Sequence, residues 1–171
     1  MTSFAITVLG HDRPGIIART ADVLSRAGMN LEDSSMTLLR GHFAMTLICV
    51  GDTPADEVQA ALAPLVEESL TVSVRAMPDE PAPPPPGQTH LVTVHGADRL
   101  GIVAELARVI AAGNGNITDL TTRLAGELYV LAAEVDLPAE ADVPAFTDEL
   151  TRVADALGVD ATVRPLERDE L

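Results

Sequence analysis

The sequence is poor in aromatic residues, in cysteine and in basic residues, and each shortage removes a class of protein. Aromatic residues make up 2% of the chain and tryptophan is missing, so the core must be built from Val, Leu, Ile, Ala and Met. The single cysteine, Cys49, cannot form an internal disulfide. It lies in the apolar run FAMTLICV, which is typical of a small buried hydrophobic residue rather than a nucleophile.

The shortage of basic residues leaves the chain strongly acidic, with 11 basic and 26 acidic residues and a formal net charge of −15. This charge repels phosphate backbones, and no local cluster of Lys or Arg offsets it. We therefore predict no direct contact with nucleic acid.

Long apolar runs and catalytic motifs are also missing. No run reaches the roughly 18 apolar residues of a membrane span, and MTSFAITVLGHD lacks the features of a signal peptide. We expect a cytoplasmic protein without membrane contact. No HExxH, CxxC, GxSxG or P-loop spacing occurs, so we expect no catalysis, no cofactor and no metal. Metal binding by His11 with a nearby carboxylate is the alternative.

What the sequence does contain is a repeated turn, GHDRPGII at 10–17 and GADRLGIV at 96–103. The shared residues keep a constant offset of 86 positions: Asp12, Arg13, Gly15, Ile16 and Ala18 recur as Asp98, Arg99, Gly101, Ile102 and Ala104. Asn30 and Asn116 keep the same offset. This regularity indicates a duplicated domain, and the chain is long enough for two units of about 75 residues each.

A proline-rich stretch, MPDEPAPPPPGQ, separates the two halves. Its four consecutive prolines exclude helix and interior strand and favour extended polyproline II. We therefore predict a first domain at 1–76, a linker at 77–88, a second domain at 89–166 and a charged tail at 167–171.

The pattern of apolar residues predicts the order βαββαβ in each half. The expected strands are 3–9, 30–39, 42–50 and 70–75, then 90–95, 116–124, 128–136 and 160–164. The expected helices are 14–27, ended by Gly28, and one opened by a Thr53 cap and shortened by Pro64, then 100–112 and 144–157, ended by Gly158. This order predicts the α+β class: two ferredoxin-like units, each a four-stranded antiparallel sheet with both helices on one face.

Two strands, FAMTLICV and LYVLAAEV, are apolar on both of their faces or nearly so. A strand that faces water on one side should alternate apolar and polar residues. We therefore expect the open face or the edge of each sheet to pack on another unit or subunit.

The repeated turn lies where the first strand of each half leads into the first helix. The first amides of a helix have no partner inside it, and together with the helix dipole they form an anion site. Gly15 and Gly101 are predicted within the first helical turn, where glycine lets a ligand approach the backbone. One Asp and one Arg make each turn nearly neutral, which favours a carboxylate over a phosphate.

The asparagine at the start of the second strand offers an amide oxygen for an ammonium group, so helix start and asparagine together suit a free amino acid. The structural alternative is that Asp12 and Asp98 cap their helices, the glycines permit tight packing, and the asparagine stabilises a turn. The two interpretations stay open at this point.

Through D-R-P-G-I…G-M-N-L in the first half and D-R-L-G-I…G-N-I in the second, the chain resembles the ACT domain family. The resemblance covers nearly the whole chain outside the linker and tail, and it is strongest to tandem-ACT regulators of the glycine cleavage system repressor type. It implies ferredoxin-like units paired into one eight-stranded sheet, with small ligands, usually amino acids, bound between two units. It places the ligand contacts of this chain at His11, Asp12, Arg13, Pro14, Gly15, Ile16, Ile17, Asn30, Ala97, Asp98, Arg99, Leu100, Gly101, Ile102, Val103 and Asn116.

The second half departs from the first at several motif positions: His11 becomes Ala97, Pro14 becomes Leu100, and Gly28-Met29 becomes Asn114-Gly115. The two sites are therefore not chemically equal, and we expect the first to be the better kept.

From these features we predict a non-catalytic regulatory protein that binds an amino acid at interfaces between ACT units and signals through a protein partner. We expect a homo-oligomer, most simply a dimer. The alternatives are a ligand-free assembly module, or a regulatory fragment of an amino-acid metabolic enzyme such as a phosphoserine phosphatase, some of which resemble this chain in carrying tandem ACT units.

Overall fold

The computed structural model describes residues 1–67, 69–78 and 87–166. The chain divides into two compact units, Met1–Ala82 and Pro83–Leu171. The proline run and the charged tail lie outside the described residues, so the domain limits given above stay a prediction.

The first unit has four strands and three helices. They are β1 (Thr2–His11), α1 (Ile16–Arg26), β2 (Asn30–Leu39), β3 (His42–Gly51), α2 (Ala55–Ala61), α3 (Ala63–Glu67) and β4 (Leu70–Ala76). The strands form one sheet in the order β2-β3-β1-β4, and all three pairings are antiparallel.

The second unit repeats this arrangement with a single long helix in place of α2 and α3. Its elements are β5 (Gln88–Ala97), α4 (Ile102–Ala112), β6 (Asn116–Ala125), β7 (Leu128–Leu137), α5 (Val143–Leu157) and β8 (Val159–Pro165). The sheet order is β6-β7-β5-β8, again antiparallel throughout. The predicted pair of ferredoxin-like βαββαβ units is confirmed, while their joining into an eight-stranded sheet stays a prediction.

Each unit has a hydrophobic core of its own, between one face of the sheet and the helices. In β1 the buried residues alternate, as Phe4, Ile6 and Val8, and they pack in one cluster with Ile16 and Leu24 of α1. The second unit has the matching cluster, built on Val92 and Val94 of β5 with residues of α4 and α5. Val, Leu and Ile supply most of this apolar area, as the shortage of aromatic residues requires.

Cys49 lies in the first core and is fully buried, as the sequence predicted. Burial, and next the negative charge of Glu32, raise the pKa of its thiol. A buried thiol with a raised pKa is a poor nucleophile.

The edge strands β2 and β6 differ from the rest of the fold because they are exposed along almost their whole length. Four large apolar side chains on β2 are 39–50% exposed: Leu31, Met36, Leu38 and Leu39. The outward residues of β3, such as Ala44 and Ile48, are only partly buried. The apolar surface that the sequence predicted is therefore present at this edge, while the partner that would cover it stays a prediction.

The N-terminus of α2 differs from the sequence prediction. Thr53 does not cap α2, whose N-cap is Pro54 without a side-chain bond. Its hydroxyl instead donates to the Ala27 carbonyl at the end of α1, at 2.7 Å. Pro64 lies inside α3, so the predicted second helix is divided in two, and Gly28 and Gly158 take the left-handed conformation that ends α1 and α5.

The second core contains one buried polar ring, His90, at the position that Phe4 occupies in the first unit. His90 is 5% exposed, and its Nδ1 lies 3.4 Å from the Gln88 carbonyl, which is long for a hydrogen bond. We expect His90→Phe to stabilise the second unit by about 1 kcal/mol, because apolar area replaces a weakly bonded polar ring. Urea unfolding followed by amide hydrogen exchange in β5 and β7 measures the change.

The matched control is His95→Phe, at a half-exposed position on the same strand. We expect it to change the free energy of unfolding by less than about 0.5 kcal/mol. A loss of stability in His90→Phe would mean that the core has no room for the larger ring.

Candidate functional site

The two repeated turns adopt the same unusual backbone. Gly15 and Gly101 are the N-caps of α1 and α4, with φ of 94° and 91°, and neither helix has a side-chain hydrogen bond at its N-cap. The structural alternative, in which Asp12 and Asp98 cap their helices, is therefore wrong in this part. The reason is geometric: a left-handed glycine is placed between the aspartate and the helix, so the carboxylate is not the residue that precedes the first turn.

The glycines also lie outside the helices rather than within the first turn, because α1 begins at Ile16 and α4 at Ile102. A Cβ built on Gly15 or Gly101 would meet no atom within 4 Å. The positive φ, rather than close packing, is what these positions require from glycine. The open space beside each glycine leaves the helix start accessible.

Side-chain charge balances the positive end of the helix dipole less in α1 than in α4. No acidic residue occupies the first turn of α1, whereas α4 has Glu105 there. A carboxylate in the first turn interacts favourably with the helix dipole and competes with an external anion. This difference agrees with the expectation that the first half keeps the better site.

A cavity of about 150 Å³ lies beside the first turn. Its lining consists of Arg13, Pro14, Gly15 and Ile16 from the turn, Arg19 of α1, Leu65 of α3 and Leu70 of β4. The two arginines make further polar or electrostatic contacts, so neither is an unengaged anion ligand. A cavity of about 150 Å³ accommodates a molecule of roughly benzene size.

The sequence analysis did not predict Arg19, Leu65 or Leu70 as part of the site. Leu65 and Leu70 are far from the turn in sequence and approach it only in the folded structure. The repeated glycine that opens the GHD and GAD segments was a signal, in the sequence, that another element packs closely against the end of the first strand. A Cβ on Gly10 would lie 2.5 Å from Leu70 Cδ2, so the motif's first glycine is what allows β4 to begin beside the turn.

The hairpin that joins β2 and β3 lies at the same end of the sheet as the first turn. The amide of Asp12 donates to the Gly41 carbonyl at 2.8 Å, and the rings of His11 and His42 meet edge to face with centroids 6.1 Å apart. The second unit has Ala97 and Leu128 at these two positions and lacks the ring pair. Within the described ranges, no group of three or more His, Cys, Asp or Glu side chains could hold a metal ion.

In the second unit the motif arginine has a structural contact. A Cβ on Gly158 would lie 3.5 Å from Nε and Nη2 of Arg99, so the guanidinium lies against the C-terminal end of α5. A cation there interacts favourably with the helix dipole. Arg99 therefore helps to position α5 in addition to any ligand contact.

The two asparagines do not lie near the turns of their own units. Asn30 pairs with Val50, which pairs with Ser3. At the other end of the sheet His11 pairs with His42, which pairs with Leu39. Nine residues of strand separate these ends, roughly 25–30 Å. The second unit places Asn116 and Ala97 in the same way. No single unit brings its helix start and its asparagine together.

These features define a tandem of ferredoxin-like units, each with an open, glycine-capped helix start after its first strand. The ACT domain model matches residues 2–75 and 88–164, so the chain belongs to the ACT domain family. Among the described residues, no helix is both long and apolar enough to span a bilayer.

The chain is similar along most of its length to one relative and over less than half of its length to another. It is 29% identical over 145 residues to the glycine cleavage system transcriptional repressor of Escherichia coli, covering 84% of this chain and 76% of that protein. It is 42% identical over 76 residues to a UPF0237 protein of Methanopyrus kandleri, covering 43% of this chain and 83% of that one.

Two solved structures match along nearly the whole chain. A protein of unknown function from Galdieria sulphuraria has a TM-score of 0.83 at 27% identity, covering 97% of this chain and 99% of its own. A protein named as a candidate glycine cleavage system transcriptional repressor has a TM-score of 0.74 at 18% identity, covering 98% of each chain, and it shows the fold alone.

Proposed function

We propose that this chain is a non-catalytic regulatory protein that binds a free amino acid at the helix start of an ACT unit. The observation that carries the proposal is that the same helix start is built twice, each time with a left-handed glycine N-cap, open space and no side-chain cap. A purely structural turn would gain stability from a Ser, Thr, Asp or Asn cap, worth about 1 kcal/mol. Membership of the ACT domain family agrees with the proposal.

The proposed ligand binds through its carboxylate to the first amides of α1. Its ammonium group requires an acceptor, which the resemblance places at the asparagine that begins the second strand. Asn30 lies at the far end of its own sheet, so the proposal assigns that contact to a second ACT unit, as the family resemblance implies. Ligand binding would then favour association of ACT units.

Regulation would then pass to a protein partner rather than to DNA. The name repressor belongs to the Escherichia coli relative. The net charge of −15 disfavours approach to a phosphate backbone. The proposal includes a cytoplasmic location.

The sharpest test uses Ile17, which is 45% exposed on the first turn of α1. We expect Ile17→Glu to weaken amino-acid binding at least tenfold. Its carboxylate would interact with the positive end of the helix dipole and would repel the carboxylate of the ligand. The same charge stabilises the helix start by about 0.5 kcal/mol, so loss of binding cannot be ascribed to unfolding. A thermal-shift screen against each proteinogenic amino acid measures binding, since ligand at ten times its Kd adds about 1.4 kcal/mol.

The control is Ile17→Gln, which nearly matches glutamate in shape without its charge. Because Ile17 is itself a predicted ligand contact, we expect Ile17→Gln to weaken binding, but clearly less than Ile17→Glu does. Equal binding by the two variants would contradict a carboxylate at this helix start. A screen without any shift would favour the second candidate, a ligand-free assembly module. That candidate has its own supporting observation in the exposed apolar side chains along β2, and it predicts an oligomer whose mass is independent of amino acids.

A further inference from the structure

The second unit contains a separate pocket of about 340 Å³, between the C-terminal end of α4 and the start of α5. Its walls are mainly apolar, with Val109, Leu137 and Phe146 among them, and Gly113 exposes backbone. Asp142 and Glu149 are the acidic residues of the lining. All of these residues belong to one unit, and none is part of the repeated turn.

The connection that leads into the second helix differs between the two units. In the first unit the hydroxyl of Thr53 donates to the Ala27 carbonyl at the end of α1. The connection before α5 spans 138–142, against 52–54 before α2, and Ala141 and Asp142 of this longer connection line the pocket.

The charges around the pocket favour a cation. Asp142 accepts a hydrogen bond from the Ala145 amide at 3.0 Å through Oδ1, while Oδ2 accepts none from the described residues. The end of α4 adds the negative end of a helix dipole, while the positive end at the start of α5 is already bonded to Asp142 Oδ1. Across 87–166 there are twelve acidic residues against five arginines, so the surrounding field has the same sign.

Glu149 contributes less than Asp142, because Arg152 already donates to it at 2.8 Å. This contact lowers the pKa of the Glu149 carboxyl, so the group is ionised at neutral pH and its charge is partly balanced. Asp142 is therefore the main acceptor available to a ligand. An external carboxylate would be repelled by both groups.

We propose that this pocket binds a small organic ammonium ion with an apolar body, the ammonium group at Asp142 and the apolar part against Leu137 and Phe146. The volume lies at the lower end of the range for small-molecule sites, roughly 300–1,000 Å³. The ligand class differs from the zwitterionic amino acid proposed for the repeated turn, since a carboxylate on the ligand would oppose binding here.

The test uses 2-phenylethylammonium as the probe and 3-phenylpropionate as its anionic counterpart, each titrated into the full chain and followed by NMR of methyl groups. We expect shifts at Val109 and Leu137 with the ammonium probe and none with the carboxylate. Asp142→Asn should weaken the ammonium probe at least fivefold, while the asparagine keeps the helix cap. Ala145→Phe, at an exposed position that lines the pocket, should weaken it at least tenfold by filling the space.

The matched controls lie on the same helix and outside the lining. Asp148→Asn makes the same charge change and Ala156→Phe the same steric change at exposed positions, and neither should alter binding more than twofold. Equal binding of the two probes, an unchanged affinity in Asp142→Asn, or methyl shifts confined to other residues would each overturn the proposal. Because the readout is confined to the second unit's pocket, failure of the amino-acid screen would leave this result intact, and the reverse also holds.

Discussion

Gly51→Leu is expected to destabilise the first unit by about 3 kcal/mol, at the upper end of what overpacking usually costs. A Cβ on Gly51 would lie 2.4 Å from Met29 Sδ and 3.0 Å from the Gly28 carbonyl oxygen. Met29 is 5% exposed and belongs to the core, so its side chain has little freedom to move aside. The position therefore tolerates no side chain while Met29 is present.

The second unit solves the same packing problem with the residues exchanged. At the positions equivalent to Met29 and Gly51 it has Gly115 and Leu137. A Cβ on Gly115 would lie 2.9 Å from Leu137 Cδ2. In each unit one large side chain fills the space between the start of the second strand and the end of the third, and the opposite position must be glycine.

This exchange predicts strong coupling between the two positions. Met29→Gly alone should cost about 3–5 kcal/mol through the cavity it leaves. The double variant Met29→Gly with Gly51→Leu reproduces the second unit's pair. We therefore expect its loss of unfolding free energy to be smaller than the sum of the two single losses by about 2 kcal/mol or more. Hydrogen exchange in β1 and β3 of the full chain reports the first unit separately.

The reciprocal pair, Gly115→Met with Leu137→Gly, is the matched control and should show coupling of the same sign. Additivity of the single losses within about 0.5 kcal/mol in both units would contradict the exchange. The exchange also explains why the second half has Asn114-Gly115 where the first has Gly28-Met29. Asn114 takes the left-handed conformation of Gly28, with φ of 54°, and Gly115 makes room for Leu137.

Much of the fold could be predicted because its signals are local. The limits of β2 agree at both ends with the sequence prediction, and the start of α1 differs by two residues. Alternation of apolar residues gives strands directly, and Gly28 marks a helix end by its left-handed conformation. The missed contacts, such as Thr53 with Ala27, join residues far apart in sequence, and no local pattern reports them.

The site could be predicted only in part, and for two reasons. The motif D-R-x-G identifies the turn, but it does not tell whether glycine is needed for space or for φ, and only the backbone shows that Gly15 is left-handed. The opposite placement of Asn30 was within reach of sequence reasoning. A hairpin of two ten-residue strands necessarily puts the start of its first strand far from the turn that follows β1.

Gly96 and Gly101, the two glycines of the second turn GADRLG, are expected to respond differently to substitution. Both have a glycine at the same place in the first half, but each position requires glycine for a different physical reason. We expect Gly96→Ala to cost the second unit about 2–3 kcal/mol. Gly96 pairs directly with Val159, and a Cβ there would lie 3.0 Å from Val159 Cα and 2.7 Å from Cγ1. The obstacle includes backbone that is held in the sheet, so it cannot move aside at low cost.

Gly101→Ala meets no neighbour, and its cost of about 1–2 kcal/mol comes from the left-handed φ alone. Asparagine separates the two cases, because it tolerates that conformation but is larger than alanine. We therefore expect Gly101→Asn to recover at least part of the loss seen with alanine, and Gly96→Asn to be worse than Gly96→Ala. Urea unfolding with hydrogen exchange at β5 and β8 measures all four variants. If asparagine shifted both positions in the same direction, a single cause would act at both glycines, and the turn would not be an open helix start held by its backbone conformation.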